Sequence, residues 1–472
     1  MHPATVVQNY KPEISPKRVL LFNPPIYDTR FPWSNWHQPV SLLQLATLLR
    51  GCHCDVRLVD ALHRKSDESL PRRRIRILTR GEVSINYWRY GRLPTELMTR
   101  LKALSQEGWQ PDEVYLEGFT TFWWEGVVET IALVRRLFPN AQVILYGAYP
   151  SLATEHAALH SGADTIVTGL IEGLAGLPLD LSFYDIRPSF TYLSIGTDRR
   201  PSSDLVEEFV AKVNPSDEKE RIGQFVFADH DVVRYFPEQF RSLVQTVIDR
   251  KIKVRFYALG NIRPHDLVDD PELASLLFRA GFKQLVFADD RDFPLTEEAR
   301  EEQLEYYRYA IEHCVAAGYR WRTEALVGSA CLGRPNEQLG DTAAFMTKLA
   351  HVAGSLIVVP YQPTPDECVS RYSLEESQIG KLLELQNGKL FPFAEYNNTN
   401  YRAYQDLLGL AAVLNAKYRS HTFDFLGDSL ISRLVRSSLI SKSWDPRSTS
   451  STLNDRPVTV GWFNKEGKWV RS

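Results

Sequence analysis

The stretch EVYLEGFTTFWWEGVVETIALVRRLFPNAQVILYG (Glu113–Gly147) decides the fold class. It opens with a short β-rich apolar run, EVYLEGF (Glu113–Phe119), and closes with another, QVILYG (Gln142–Gly147). Between them, apolar residues recur at helical spacing from Glu125 to Phe138. A strand, a helix and a strand with such short joints predict one unit of an α/β parallel sheet.

The alternation extends both ways. Upstream, RVLLF (Arg18–Phe22) ends at Asn23-Pro24-Pro25, a helix pattern runs from Val40 to Leu49 with Gly51 as its C-cap, and Val56–Val59 form a further strand. A basic, weakly apolar stretch from Arg64 to Lys102 interrupts the pattern. Downstream come a short helix over Ala153–His160 and a strand, DTIVTG (Asp164–Gly169). The whole predicts a doubly wound, Rossmann-like sheet, in which ligands bind beyond the carboxyl ends of the strands. Those ends carry Asn23-Pro24-Pro25, Thr120-Thr121, Gly147-Ala148 and Gly169-Leu170. Small and hydroxyl residues there admit a ligand to the backbone, and they also simply let strands turn into helices. No G-x-G-x-x-G follows a strand, so a dinucleotide site is poorly supported.

A second series follows the link Gly176–Pro188. Its strands are FTYLSIG (Phe190–Gly196), QFVFAD (Gln224–Asp229), KVRFYA (Lys253–Ala258), KQLVFAD (Lys283–Asp289), RWRTEALVG (Arg320–Gly328) and SLIVVPY (Ser355–Tyr361). Amphipathic helices lie between them over Pro237–Arg250, Pro271–Ala280, Glu297–Ala317 and Asn336–Ala353. Six strand–helix units predict a partial (β/α)6 barrel with its chemistry at the carboxyl strand ends. There stand Gly196-Thr197-Asp198, Asp229-His230-Asp231, Asn261, Asp289-Asp290-Arg291, Gly328-Ser329 and Tyr361-Gln362-Pro363. Helices over Leu374–Gln386, Tyr401–Tyr418 and Asp428–Ser441 come next, then a polar link and a hairpin turning at Asn464–Gly467. The expected divisions are 1–176, 187–365, a helical region 366–442, and a terminal link and hairpin 443–472.

Composition narrows the function classes. The 472 residues are 44% hydrophobic and 24% charged, ordinary for a folded globular chain. Lys plus Arg (55) nearly balance Asp plus Glu (58), so the net charge of -3 gives no general attraction to nucleic acid or anionic membrane. No apolar run is long enough for a transmembrane helix, and the N-terminus lacks a signal-peptide core. The chain is expected to be cytoplasmic. Its five cysteines (Cys52, Cys54, Cys314, Cys331 and Cys368) are too few and too scattered for a disulfide framework. None lies between Cys54 and Cys314.

The order of these parts, over residues 18 to about 365, resembles the cobalamin-binding radical SAM proteins. RVLLFNPP, GFTTFWWEGV, YGAYPSLATEHAAL and ADTIVTGLIEG are similar to that family's cobalamin-domain landmarks. FVFADHDVVRYFPEQF, DPELASLLFRAGFKQLVFADD, ALVGSACLGRPNEQLGDT and VVPYQPTPDE resemble barrel segments. The resemblance implies that Thr120, Thr121, Gly147, Ala148, Pro150, Gly169 and Glu172 line a corrin, with Ala148 standing where the family has a second Gly. It also implies cobalamin binding without a protein histidine ligand, since no D-x-H-x-x-G occurs. One departure is central: the family holds a [4Fe–4S] cluster with CxxxCxxC after the first barrel strand, and here that loop reads SIGTDRRPSSDL (Ser194–Leu205). Radical SAM chemistry is therefore not expected.

In the barrel, Asp229 and His230 are the candidate catalytic pair, an Asp beside a His being able to orient and activate the imidazole. The plainer reading of the same residues is a polar strand end capping the next helix. Asp289-Asp290-Arg291 reads as a salt-bridged turn or a substrate grip, and Arg199 and Arg200 as solvated residues or an anion contact. Cys331 reads as a packed small residue or a nucleophile without an assignable base. Phe119, Phe122, Trp123 and Trp124 suit a corrin face or ordinary interface packing, and Arg72–Arg80 a nucleic-acid contact or, more usually for one short run in a balanced chain, a solvated basic face. Two functions follow: a cobalamin-binding accessory protein with a protein or peptide partner, or a cobalamin-dependent enzyme performing polar methyl transfer or another two-electron reaction, with S-adenosylmethionine as a further ligand.

Overall fold

The computed structural model describes residues 16–29, 38–63, 70–169, 177–184, 190–193, 223–227, 231–288, 295–363, 386–395 and 397–418, some isolated residues between these, and a short strand pair near the C-terminus. Asp229, His230, Glu172, Arg199, Arg200 and Asp289-Asp290-Arg291 lie outside the described residues, as does nearly all of the predicted helix 374–386 and the whole of 428–441.

The first half runs β1 (Arg18–Asn23), β2 (Ile26–Asp28), α1 (Val40–Gly51), β3 (Asp55–Asp60), β4 (Arg72–Arg80), β5 (Val83–Tyr90), α2 (Pro94–Gln106) and β6 (Glu113–Glu117). It continues with α3 (Trp124–Leu137), β7 (Gln142–Tyr146), α4 (Ala148–Leu152), α5 (Thr154–His160) and β8 (Thr165–Ile166). Five strands form one parallel sheet in the order β3-β1-β6-β7-β8. Parallel strands need both faces covered, and period-2 alternation supplies two apolar faces. Val19, Leu21, Val56, Tyr115 and Ile144 pack toward α1, whereas Leu20, Phe22, Val114, Leu116 and Val143 pack with residues of α2 and α3. Val127, Ile131 and Val134 give α3 its buried stripe. A Cβ on Gly126 would stand 1.8 Å from the carbonyl oxygen of Pro25, so only glycine lets α3 approach the end of β1 this closely.

The basic stretch departs from its sequence reading. It forms the hairpin β4–β5, which with β2 makes a three-stranded antiparallel sheet, followed by α2. Arg72, Arg73 and Arg74 are exposed, which agrees with a solvated basic face. Arg76 instead pairs bidentately with Glu125 (2.7 and 2.9 Å), and buried Arg89 with Glu129 (2.6 and 2.7 Å). Charge had hidden a period-2 strand pattern whose polar side is ion-paired.

The second half contains β9 (Thr191–Leu193), β10 (Gln224–Phe227), α6 (Val232–Tyr235), α7 (Pro237–Asp249), β11 (Arg255–Ile262), α8 (Pro264–Asp269), α9 (Pro271–Ala280) and β12 (Phe282–Phe287). Then come α10 (Glu297–Ala317), β13 (Leu326–Leu332), α11 (Leu339–Ala353), β14 (Leu356–Pro360), α12 (Asn398–Tyr418), β15 (Gly461–Phe463) and β16 (Trp469–Arg471). β9 to β14 form one parallel sheet in strictly sequential order, and among the described residues its two edge strands do not pair with each other. One face is an aromatic layer under the helices, with Phe225, Phe227, Phe256 and Phe282 in ring contact, Phe227 and Phe282 stacked at 5.5 Å. The opposite face carries Phe190, Val226 and Tyr257, with Tyr192, Leu259 and Ile357 against them.

β13 is displaced from its expected place. Arg320–Ala325 precede it as turns, and the strand runs on through Leu332, so Gly328 and Ser329 are mid-strand rather than at a strand end. Cys331 lies inside β13, paired in register with Val359 and 4% exposed. It is a packed strand residue. β15 and β16 pair antiparallel, as the hairpin predicts.

A segment far along the chain ties the halves together. Asp28, fully buried at the end of β2, accepts from Asn387 Nδ2 (2.6 Å), Trp123 Nε1 (3.0 Å) and Lys389 Nζ. Gly388 between them is so close to the end of β14 that a Cβ would lie 2.2 Å from the Tyr361 carbonyl oxygen. Gln38 Nε2 adds a 2.7 Å bond to the Phe190 carbonyl just before β9.

Candidate functional site

Numbering only the five strands of the first parallel sheet, their spatial order is 2-1-3-4-5, the second doubly wound order, which reverses between its first and third strands. At such a reversal the following connections leave to opposite faces and open a crevice at the carboxyl edge. Here the crevice lies between β1 and β6, lined by Asn23, Pro24, Pro25, Glu117, Gly118 and Thr120, among others. Its water-accessible volume is about 20 Å³, room for one water or the polar tip of a ligand side group.

The last residues of four adjacent strands form a polar row across this edge: Asp60 of β3, Asn23 of β1, Glu117 of β6 and Tyr146 of β7. Alternation puts all four on the α1 side, since the residue before each (Val59, Phe22, Leu116, Leu145) packs on the other face. Asp60 accepts from Asn23 Nδ2 (2.7 Å), the Leu62 amide (2.9 Å) and the Tyr184 hydroxyl (3.0 Å). At the other end, the Ser41 and Tyr146 hydroxyls lie 3.0 Å apart, with Tyr146 in register with Glu117. Burial pushes the Glu117 carboxyl up to about 7, only partly offset by Ser41, and pushes the Tyr146 and Tyr184 hydroxyls well above the usual tyrosine range. A carboxyl that titrates near neutral pH in a crevice can donate or accept a proton as conditions require.

The structure brings Thr120, Thr121, Gly147, Ala148, Pro150 and Gly169 to this same edge, where the loops after β6, β7 and β8 are laced together. The Gly118 amide donates to Tyr146 O (2.7 Å), and the Tyr149 amide to Gly118 O (2.8 Å). Ser151 Oγ donates to Gly147 O (2.6 Å) and accepts from the Gly169 amide (2.8 Å). Gly147 has φ of +105°, and a Cβ there would meet Gly118 O at 2.8 Å, so the position demands glycine twice over. Thr121 and Pro150 are buried, Thr120 is half-buried, and Ala148 and Gly169 are exposed. Phe119 is 46% exposed and stacks on Trp123 at 5.6 Å, while Phe122 meets Trp123 edge-on. Trp124 instead packs edge-on against His156.

Sequence reading missed Glu117, Asp60, Tyr146, Ser41 and Tyr184. A signal was there: RVLLFN, DVRLVD and EVYLE each end an apolar run with a polar residue. Nothing local says that the three endings align. In the second half, Asp231 opens α6 in the left-handed region and faces Arg263 (Nε–Oδ1 3.8 Å), which reads as a structural turn. Asn261 is likewise structural, bonding the Leu259 amide (2.5 Å) and Phe227 O (3.3 Å). Among the described residues no three His, Cys, Asp or Glu side chains gather as metal ligands.

These features define the class: an α/β protein with two parallel sheets and a small polar crevice at the strand-order reversal of the first. No family model matches the chain, and no curated protein matches it.

Proposed function

We propose that this chain is a corrinoid-binding protein on a cobalamin-type sheet and a radical-SAM-like partial barrel, acting as a non-radical accessory component of a biosynthetic pathway. The observation that carries this reading is the 2-1-3-4-5 sheet with Thr120, Thr121, Gly147, Ala148, Pro150 and Gly169 on one edge, followed by a sequential six-stranded parallel sheet. The missing cysteines of Ser194–Leu205 remove the usual cluster ligands from the first barrel loop.

The residues present suit such a ligand. Ala148, Gly169 and the exposed face of Phe119 offer a bare shelf for a broad macrocycle, and a Cβ at Gly169 would meet open space. His156 is buried, with Nδ1 2.8 Å from the Tyr149 hydroxyl and its ring packed between Trp124 and His160. When bound, a corrinoid supplies a cobalt centre able to carry a methyl group. Ala148, Gly169 and Phe119 would hold the macrocycle on the shelf, where a protein or peptide partner could reach it. The enzymatic alternative, polar methyl transfer with S-adenosylmethionine, rests on Asp229 and His230, and no observation favours it.

The test is an absorbance spectrum with cobalt, iron and sulfide analysis after anaerobic purification and reconstitution with iron, sulfide and hydroxocobalamin. Stoichiometric corrinoid without iron supports the reading. About four irons per chain, or no cofactor at all, overturns it.

A further inference from the structure

Asn23 is nine-tenths buried, and its Nδ2 donates to Asp60 Oδ1 at 2.7 Å. A carboxylate only accepts, so this bond fixes which way round the amide sits and leaves Oδ1 as the group Asn23 offers to the crevice. Among the described residues Oδ1 has no hydrogen-bond partner, although the side chain lines the crevice. One strand away, Glu117 lines the same space, in register with Tyr146 on the next strand. An acceptor and a carboxyl thus stand side by side on neighbouring strands, about 5 Å apart by sheet geometry.

We propose that Asn23 and Glu117 together read a carboxamide of the bound ligand, Glu117 in its neutral form donating to the amide oxygen and Asn23 Oδ1 accepting the amide N–H. The pair satisfies both edges of one planar group. A carboxylate ligand group would satisfy only the Glu117 donor and would face the Asn23 oxygen without a proton between them. The inference rests on the corrinoid reading for its ligand, because a corrinoid carries primary carboxamides round its rim.

Proton linkage follows from the same arrangement. The titratable groups facing Glu117 are Tyr146 on β7 and, beyond Asn23, Asp60 on β3 with Tyr184 upon it; Tyr115 on β6 itself neighbours Tyr146. Burial keeps the Tyr146 and Tyr184 hydroxyls protonated through the physiological range and pushes the Glu117 carboxyl up to about 7. A ligand covering the crevice desolvates Glu117 further and favours its neutral form. Binding then takes up a proton, so affinity is constant below pH about 7 and falls above it by up to about tenfold per pH unit.

The experiment measures equilibrium binding of hydroxocobalamin to the full chain between pH about 5.5 and about 8.5, for the parent protein, Glu117→Gln and Asn23→Leu. It is repeated with a corrinoid whose rim amides are hydrolysed to carboxylates. The expected results are the stated pH profile for the parent chain and a flat profile for Glu117→Gln, with affinity near the parent's at the acid end. Asn23→Leu should weaken binding about tenfold, and the hydrolysed corrinoid should bind at least about tenfold more weakly above neutral pH. An unchanged pH profile in Glu117→Gln, or equal affinity for the amide and hydrolysed corrinoids, overturns the inference while leaving the corrinoid reading intact. No corrinoid binding at any pH overturns both. Asn23→Leu strips a partner from buried Asp60; if circular dichroism shows it unfolded, the isosteric Glu117→Gln and the hydrolysed corrinoid decide.

Discussion

The two parallel sheets are built from similar apolar runs, yet they end differently. In the first, strand order reverses between β1 and β6, the connections part, and the carboxyl edge holds a row of polar residues that the flanking elements bond but do not fully cover. In the second, strand order never reverses, the helices keep to one face, and the strands are fixed by a continuous aromatic layer. Side-chain chemistry alone does not make the first edge a site. Topology leaves its polar endings a crevice to face.

The largest test of that contrast is in the aromatic layer. Phe227→Ala, which empties the stack on Phe282, should cost about 3–5 kcal/mol in chemical denaturation of the full chain. A loss below about 1 kcal/mol would mean that the second sheet is not held by this layer.

The link between the sheets should be nearly as sensitive. Lys389→Met removes the Lys389 ammonium from buried Asp28 and should cost about 3 kcal/mol, while the double variant with Asp28→Asn should recover part of the loss. Equal stability of the two variants would show that the ion pair is not what joins the halves.

Two titrations sharpen the account of the first sheet because their signs oppose. Glu117 has a folded pKa above its unfolded value, so the folded chain holds the extra proton and stability is lost as pH rises from about 4.5 to about 7, by about 2 kcal/mol after allowing for partial exposure. Glu117→Gln should remove that loss. His156 is the reverse: burial beside His160 lowers it from 6.5 to about 4, so stability is lost as pH falls through that window. His156→Gln should flatten the acid side of the thermal-stability profile and leave the neutral side unchanged. The smallest effect belongs to exposed Arg73 on β4, where Arg73→Ser should change stability by less than about 0.5 kcal/mol.

Most elements were legible because their signals are local. Pro271–Ala280 and Glu297–Ala317 carry helical periodicity with Gly281 and Gly318 after their ends, and the structure gives the same bounds. β4 and β5 were hidden because arginines occupy positions that a strand pattern would fill with uncharged residues, and their partners Glu125 and Glu129 lie on another element. β13 was placed early because RWRTEALVG looks strand-like, although Arg320–Ala325 form turns. At the site, Thr120, Gly147 and Gly169 were readable as small residues at strand ends, whereas Glu117 passed as part of an apolar run.

By itself the sequence determined the α/β class, the succession of two strand–helix series and the absence of cysteine from Ser194–Leu205, since apolar periodicity and residue identity are carried within a few residues of chain. Only the tertiary structure decided that Asp60, Asn23, Glu117 and Tyr146 share one row, and that Lys389 reaches Asp28 across 361 residues. Strand order and register come from packing whole faces against each other, and no local pattern encodes which strand will be whose neighbour.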